Sequence, residues 1–412
     1  MHVVLVGPRK EVVRGLRADG HEITVLYESA HRQRVFDLGD QIDRACAVDS
    51  YTKVDSLWSA LHHLSPPRPV DAVVTTTEWA VVATAVLGHL IGARSVSPRQ
   101  ALACRDKAVQ KTAWNLAGIP TADWHVAPTG IGTRLDAERV LAASDLHFPL
   151  VVKPLAGGAS KSVSVVRDVG GLHRAASAVD DGGRVLVEQF VDGPEWHFDG
   201  VVERDELWAF MVSRYCEPLL CTKSGRPSRS ITYTPARHRE LYTEAADLTR
   251  RALRALGLDR GVFHFEVFGG PGAFVASELA CRPAGGIVGM MSERVIGVDM
   301  YAASARVITG DRIPRGAGER ELTHGWTFLP TAPGRVNQVD PDEIRRIPGV
   351  NTVIMRVGRG EPMRDMAVAS TVGVGFAAVH GDSVEDCERA IDDVVAAVER
   401  MHAGAPFTAD AA

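Results

Sequence analysis

The sequence lacks paired cysteines. Its six cysteines, at 46, 104, 216, 221, 281 and 387, are scattered, with no C-x-x-C pair and no histidine at zinc spacing. That speaks against a disulfide framework or a structural zinc and makes a reducing cytoplasm the expected compartment. Blocks of Lys or Arg are also missing, and the formal net charge is −5, so there is no electrostatic case for a nucleic-acid partner. Apolar runs such as 79–91 (WAVVATAVLGHLI) are too short for a membrane span. The chain opens on a strand-like run without a basic segment or cleavage site, so no export signal is expected. The turn after that run, Gly7-Pro8-Arg9-Lys10, is not the G-x-G-x-x-G dinucleotide fingerprint, and no Walker G-x-x-x-x-G-K-[ST] occurs anywhere. There is no internal repeat and no low-complexity tract beyond a short Ala-rich end, where disorder is expected.

What remains is an ordinary globular composition, 45% hydrophobic and 24% charged over 412 residues, a length that suits two to four domains. Residues 2–6 (HVVLV), an amphipathic 9–19 and 22–27 (EITVLY) form a βαβ pattern, which implies a parallel sheet. With 70–76 as a further strand and 79–91 as a helix, residues 1–100 read as a small α/β domain. The stretch 105–118 (RDKAVQKTAWNLAG) reads as a helix that ends at Gly118 before Pro120. Two β-branched runs, 149–153 and 162–166, flank the turn Leu155 to Lys161. Strands at 184–191, 198–203 and 207–212 suggest an antiparallel arrangement. After a helix at 238–256, strands 262–268 (VFHFEVF) and 274–279 (FVASEL) flank Gly269-Gly270-Pro271-Gly272 and make a hairpin. The tail from about 325 combines short strands with an acidic amphipathic helix at 382–401.

Glu266 and Glu278 sit inside those apolar hairpin strands. Burying either is costly unless it is paired or bound to a cation, and two carboxylates on one face of adjacent strands suit Mg²⁺ (or Mn²⁺). For either one alone, a glutamate facing solvent on a half-exposed strand is an equally good reading. Arg282, in E-L-A-C-R-P-A-G-G, lies on an irregular loop at a strand end, where a guanidinium reaches a carboxylate or phosphate; a surface loop arginine is the alternative. Lys153 leaves a buried strand just before the Gly-rich turn, whose small residues let backbone N–H groups approach phosphate oxygens, although most such turns only connect strands. Residues 187–195 (VEQFVDGPE) pair an apolar edge with carboxylates suited to an adenine and a ribose, while each glutamate alone could be a solvated surface residue.

In order, R-D-K at 105–107, F-P-L-V-V-K-P at 148–154, G-G-A-S-K-S-V at 157–163, V-E-Q-F-V-D-G-P-E at 187–195, H-F-E-V at 264–267 and E-L-A-C-R-P-A-G-G at 278–286 resemble the ATP-grasp superfamily. P-G-R-V at 333–336 and I-P-G-V at 347–350 resemble its L-amino acid ligase, or carboxylate-amine ligase, branch. The resemblance implies an α/β and α+β multidomain chain. It would comprise a Rossmann-like pre-grasp domain at 1–100, an ATP-grasp domain at 101–320 with a lid subdomain at about 120–190, and a small C-terminal α+β domain at 321–412. It further implies that Lys107 and Lys153 contact ATP phosphates and that Gly157, Gly158, Ser160 and Lys161 form a lid loop. Glu188, Gln189, Phe190 and Val191 would be the adenine hinge, Glu195 would hold ribose, and Glu266 and Glu278 would bind Mg²⁺. Lys153 and Arg282 are the expected catalytic residues. Glu78 (in T-T-T-E-W), His264, Arg282, Gly285 and Gly286 are the expected substrate contacts, with Glu78 meeting an ammonium group.

Two positions depart from the family pattern. Ala280 stands where many of these enzymes place a metal-binding Asn, and Ser162 stands where the lid often has Gly. The implied reaction is formation of an amide or peptide bond through an acyl phosphate, with ADP and phosphate released and an amino acid as one substrate. Within the superfamily a biotin-carboxylase-like or formyl-phosphate-type enzyme is the competing expectation; outside it, a catalytically inert nucleotide-binding protein. The expected partners are small-molecule carboxylates and amines, with no nucleic acid and no membrane, and a homodimer would fit the resemblance. Gly285 and Gly286 suggest room for a larger acyl group, and the basic segment 213–236 (Arg214, Lys223, Arg226, Arg229) suggests an acidic substrate or merely a solvated loop.

Overall fold

A computed structural model describes residues 1–127, 131–179 and 184–407; the last five residues of the Ala-rich end lie outside them. The N-terminal βαβ pattern folds as read: β1 (His2–Val6) pairs in parallel with β2 (Glu22–Glu28), and β2 pairs in parallel with β3 (Arg44–Val48). β4 (Ala72–Thr75) lies on the other side of β1, giving a four-stranded parallel sheet ordered β3-β2-β1-β4. Its strands are nearly continuous apolar runs because helices cover both faces. The turn at the carboxyl end of β4 carries Thr77, Glu78 and Trp79, and Glu78 and Trp79 lie beside Gly158 of the Gly-rich turn.

The expected helix over 105–118 forms, two residues shorter at each end. Asp106 caps a helix at Lys107–Leu116, accepting from Ala108 N and Val109 N, and a separate short helix at Pro98–Ala103 precedes it. Arg105 consequently lies in the connection, outside either helix.

Strands β5 (Trp124–Ala127), β6 (Leu150–Pro154), β7 (Ser164–Val166) and β8 (Val185–Gln189) make a second four-stranded sheet, ordered β5-β8-β6-β7. This corrects the grouping of 184–191 with 198–203 and 207–212. β8 pairs with β5 and β6, whereas β9 (Glu195–Glu203) and β10 (Glu206–Tyr215) belong to another sheet. Asp192-Gly193-Pro194 turns the chain from one sheet to the other, and Gly193 takes a left-handed φ of 127°.

That third sheet has eight strands and continues with β11 (Arg229–Thr232), β12 (Arg260–Phe268), β13 (Val275–Ala280), β14 (Thr323–Leu329), β15 (Val350–Met355) and β16 (Gly375–Gly381). Its order is β13-β12-β9-β10-β11-β14-β16-β15. The C-terminal strands thus extend the same sheet that carries the 262–279 hairpin. Phe198, Phe263, Phe265 and Leu279 pack with Trp114 and the helix Arg239–Leu256 in one core cluster. The acidic helix runs over Val384–Ala403, with Ser383 and Asp386 forming a capping box. Among the described residues no helix is long and apolar enough to cross a membrane.

Candidate active site

The hairpin sets the site. β12 and β13 are antiparallel, and Glu266 and Glu278 are direct partners in the register, just before a β-bulge. Directly opposed residues have Cβ atoms roughly 5 Å apart on one face, so both carboxylates can meet a single cation. His264, Glu266 and Phe268 alternate with Phe263, Phe265 and Val267; the second set is fully buried and the first is not. The two-residue period therefore sends the hydrocarbon into the core and the ionisable groups into the cleft. Lys107 Nζ donates to Glu278 Oε1 at 2.9 Å. Burial alone would raise the Glu278 pKa, but Lys107 and Lys153 outweigh it and hold the carboxyl below its ordinary range. The nearby Glu195 shows the opposite balance. Burial, reinforced by the Glu266 charge, pushes it up to about 8, while its Oε2 accepts from Leu219 N at 2.8 Å.

Lys153 and Glu188 are diagonal neighbours across the β6–β8 pair, at 2.5 Å between Nζ and Oε1. Lys111 reaches the other oxygen of Glu188 at 3.0 Å. All three side chains are buried. Burial opposes ionisation of Glu188, yet the two lysines bring its pKa down to about 2. Lys153 titrates above its ordinary value because Glu188, with Glu278 and Glu266 behind it, outweighs the cost of burial. Lys111 titrates below its ordinary value through burial, helped by the like charges of Lys153 and Lys107. The sequence reading missed Lys111, although it stands four residues after Lys107 in K-A-V-Q-K and so on the same helix face. Gln189 is anchored by bonds to the carbonyls of His147 (2.9 Å) and Pro149 (3.1 Å), and Phe190 N donates to Pro149 O at 3.2 Å. Both residues line the cleft, as does Val191.

Glu78 is held differently from the expected open carboxylate. Its two oxygens accept from Arg105 Nη1 and Arg282 Nε, so two guanidinium groups already occupy it. Arg105 also donates to Gly157 O at 2.7 Å and Ala156 O at 2.6 Å, and its guanidinium lies 5.1 Å from the Trp79 ring centroid. One buried arginine thus ties the root of the Gly-rich turn to the N-terminal sheet and, through Glu78, to Arg282. No sequence signal marked Arg105 beyond its place in R-D-K. The turn itself carries Ala159, Ser160 and Ser162 at φ values of 55°, 54° and 55°. A β-carbon is disfavoured in that region, so glycine would relieve strain at 162. Lys161 is exposed and lines the cleft with Gly157, Gly158 and Ser160.

A buried relay backs His264. Its Nδ1 bonds Asp199 Oδ1 at 2.8 Å and its Nε2 faces Glu266 Oε1 at 3.3 Å. Asp199 Oδ2 meets His197 Nδ1 at 2.5 Å, and His197 Nε2 meets Ser230 Oγ at 2.8 Å. Burial would lower the His264 pKa, but Asp199 and then Glu266 raise it to about 10. Asp199 was legible only after the fact, since the β9–β12 register sets it opposite His264 and His197 opposite Glu266.

Lys107, Lys111, Lys153, Glu188, Glu195, His264, Glu266 and Glu278 line one cleft of about 500 Å³ with Arg282, Gly285 and Gly286, while Glu78, Arg105 and Asp199 stand behind its lining. The segment 213–236 does border the cleft, through Tyr215, Leu219, Cys221 and Ser228, but its basic residues are not in the lining. Arg214 pairs with Glu388 (2.9 Å), Arg229 with Glu217 and Asp392, and Arg226 with Glu217 (3.5 Å), while Lys223 donates to Ala367 O (3.0 Å). The three arginines are thus paired with Glu217 and with Glu388 and Asp392 of the C-terminal helix, and Lys223 is bound to a carbonyl. The two glycines also divide. A Cβ at Gly286 would meet the Phe328 ring at 3.2 Å, whereas one at Gly285 would touch only Thr371, at 3.9 Å. Gly286 admits an aromatic ring rather than opening a void.

The sequence profile of the ATP-grasp domain matches residues 112–294. An L-arginine-specific L-amino acid ligase of Bacillus subtilis is 22% identical over 332 residues, 77% of each chain. The crystal structure of an L-amino acid ligase from Bacillus licheniformis superposes with a TM-score of 0.76 at 19% identity, covering 95% of this chain and 96% of that one. A carboxyaminoimidazole ribonucleotide synthase from Aspergillus clavatus, complexed with ATP, gives 0.72 at 17% identity, covering 97% and 98%.

Proposed function

From the premise that residues 112–294 form an ATP-grasp domain, we propose that this chain is an ATP-dependent carboxylate-amine ligase. It would form an amide or peptide bond through an acyl phosphate, release ADP and phosphate, and take an amino acid as one substrate. The observation that carries the proposal is the register pair Glu266–Glu278, set in one cleft with Lys107, Lys153 and Arg282.

The donor set fits a hard divalent cation. Two carboxylates share a face, the buried Glu195 feels the Glu266 charge, and Lys107 is close enough to Glu278 to offset it. Glu266 and Glu278 would hold Mg²⁺ or Mn²⁺, and Ala280 contributes no ligand. When bound, the ion would supply charge neutralisation at the phosphate oxygens. Lys107 and Lys153 bind and orient the phosphates, with Lys153 itself aimed by Glu188. Gln189, Phe190 and Val191 border the adenine, Glu188 stands at its amino edge, and Glu195 takes the ribose hydroxyls. Gly157 to Lys161 cover the phosphates and exclude water, which protects an acyl phosphate from hydrolysis. The substrate carboxylate attacks the γ-phosphorus in line and ADP leaves. The neutral amine then attacks the acyl carbon and forms the C–N bond, Arg282 stabilises the resulting oxyanion, and the tetrahedral adduct collapses, expelling phosphate, which carries away the proton lost by the amine nitrogen.

A carboxylase or formyl-phosphate chemistry is the second reading, favoured by the likeness to the carboxyaminoimidazole ribonucleotide synthase. The test is phosphate release from Mg·ATP with pools of acids and amines. Release that needs both an acid and an amine supports the ligase, and dependence on bicarbonate or formate supports the second reading. No release from any pool overturns both in favour of an inert nucleotide-binding protein.

A further inference from the structure

Part of the cleft lining is a largely apolar wall of Tyr215, Ser228, Ala284, Val288, Trp326 and Phe328, and Ala284 follows Arg282 by two residues. The wall is contiguous. The Phe328 ring lies against Gly286, Phe328 N donates to Ser228 O at 3.0 Å, and the Trp326 and Phe328 rings meet edge-on at 5.8 Å. None of its own residues is a carboxylate or a cation. Of the ionisable groups around it, Arg282 pairs with Glu78, His264 with Asp199 and Glu266, Arg214 with Glu388, and Arg229 with Glu217 and Asp392. Glu195, close to Tyr215, accepts from Leu219 N at 2.8 Å and is pushed up to about 8 by burial and the Glu266 charge. Arg356 covers Phe328 at 5.1 Å and donates to Thr371 O at 3.3 Å, but it is not part of the cleft lining.

We propose that the acid activated here carries a large apolar side chain, aliphatic or aromatic, which packs against Trp326 and Phe328. This rests on the ligase reading above and names its substrate class. A cationic side chain would need a carboxylate at this end. Glu78, the carboxylate nearest Arg282, has both oxygens occupied by arginines. Burying an unpaired charge among aromatic rings is costly, whereas an apolar side chain gains from every ångström of surface it removes from water. The selectivity therefore differs in kind from that named in the L-arginine-specific relative.

The test uses the full chain with Mg·ATP, hydroxylamine as the trapping amine, and single amino acids as the acid: Phe, Leu and Met against Gly, Arg, Lys, Glu and Asp. Hydroxamate and ADP are both measured. The expected result is a kcat/KM for the apolar group about tenfold or more above that for the charged group and Gly. Equal or better turnover with Arg, Lys, Glu or Asp overturns the proposal. A second measurement does not depend on catalysis: thermal unfolding with Mg and a non-hydrolysable ATP analogue, with each amino acid added. Phe and Leu should raise Tm more than Arg or Glu. If they do so without any hydroxamate, the ligase reading fails and the pocket assignment stands; if they do not, the pocket assignment fails whatever the turnover. Ser228→Asp, or the more exposed Thr371→Asp, should move the preference toward Arg and Lys. An unchanged ranking in both variants, each folded by thermal scan, overturns it.

Discussion

Replacing Glu78 by Gln keeps the shape of the side chain and removes the charge between Arg105 and Arg282. The three side chains are 11%, 8% and 15% exposed, so the clamp lies where charge is poorly solvated. Removing one member of a buried ion pair costs about 3–5 kcal/mol, because the partner charge is left uncompensated. Arg105 keeps its bonds to the carbonyls of Ala156 and Gly157, and the amide retains one acceptor oxygen, so the lower end, about 3 kcal/mol, is expected. Urea unfolding of the ligand-free protein, followed by circular dichroism, reads this directly. Turnover should fall as well, since Arg282 loses the anchor that aims it, with little change in the KM for ATP. A glutamate reserved for a substrate ammonium predicts the reverse: unaltered stability without substrate and a raised KM for the amino acid. Stability within about 0.5 kcal/mol of the parent, the ordinary range for surface changes, would refute the clamp.

Glu278→Ala should abolish phosphate release and remove Mg²⁺-dependent protection by nucleotide in a thermal scan; unchanged turnover would dismiss the metal assignment. Arg105→Ala should raise the ADP formed per amide made, because the lid turn loses its tie to the N-terminal sheet, and an unaltered ratio would show that the tie has no part in excluding water. The pH dependence follows from Glu188, held at about 2 in the fold against an ordinary 4.5. Between those values the unfolded chain binds the extra proton, so this stabilisation is complete above pH 4.5 and is lost as pH falls through about 2. Lys111→Met should move acid unfolding to higher pH, measured by circular dichroism, and an unmoved midpoint would count against the shared ion pair.

Patterns of local origin were legible in the sequence. The parallel N-terminal sheet followed from one βαβ unit, and the hairpin of Glu266 and Glu278 followed from two apolar strands around a Gly-Pro-Gly turn. Period 2 then fixed which side chains of V-F-H-F-E-V-F face the cleft. The cap at Asp106 and the switch of sheets after β8 escaped, since strand-like runs look alike whichever sheet they join.

The sequence by itself determined the pair of carboxylates and, separately, the strand-end lysine with its glycine-rich turn, because each set lies along one or two neighbouring strands; only the tertiary structure brings the two sheets that carry them together. Tertiary structure alone decided what each charge meets. Glu78 and Arg282 are 204 residues apart and Lys107 and Glu278 are 171 apart, and no local periodicity reports contacts at such range. The same holds for the arginines of 214–229, which look like an anion site in sequence and are neutralised by the C-terminal helix and Glu217 in the fold. Charge in a sequence is a count; whether it is free to bind a ligand depends on partners that folding alone supplies.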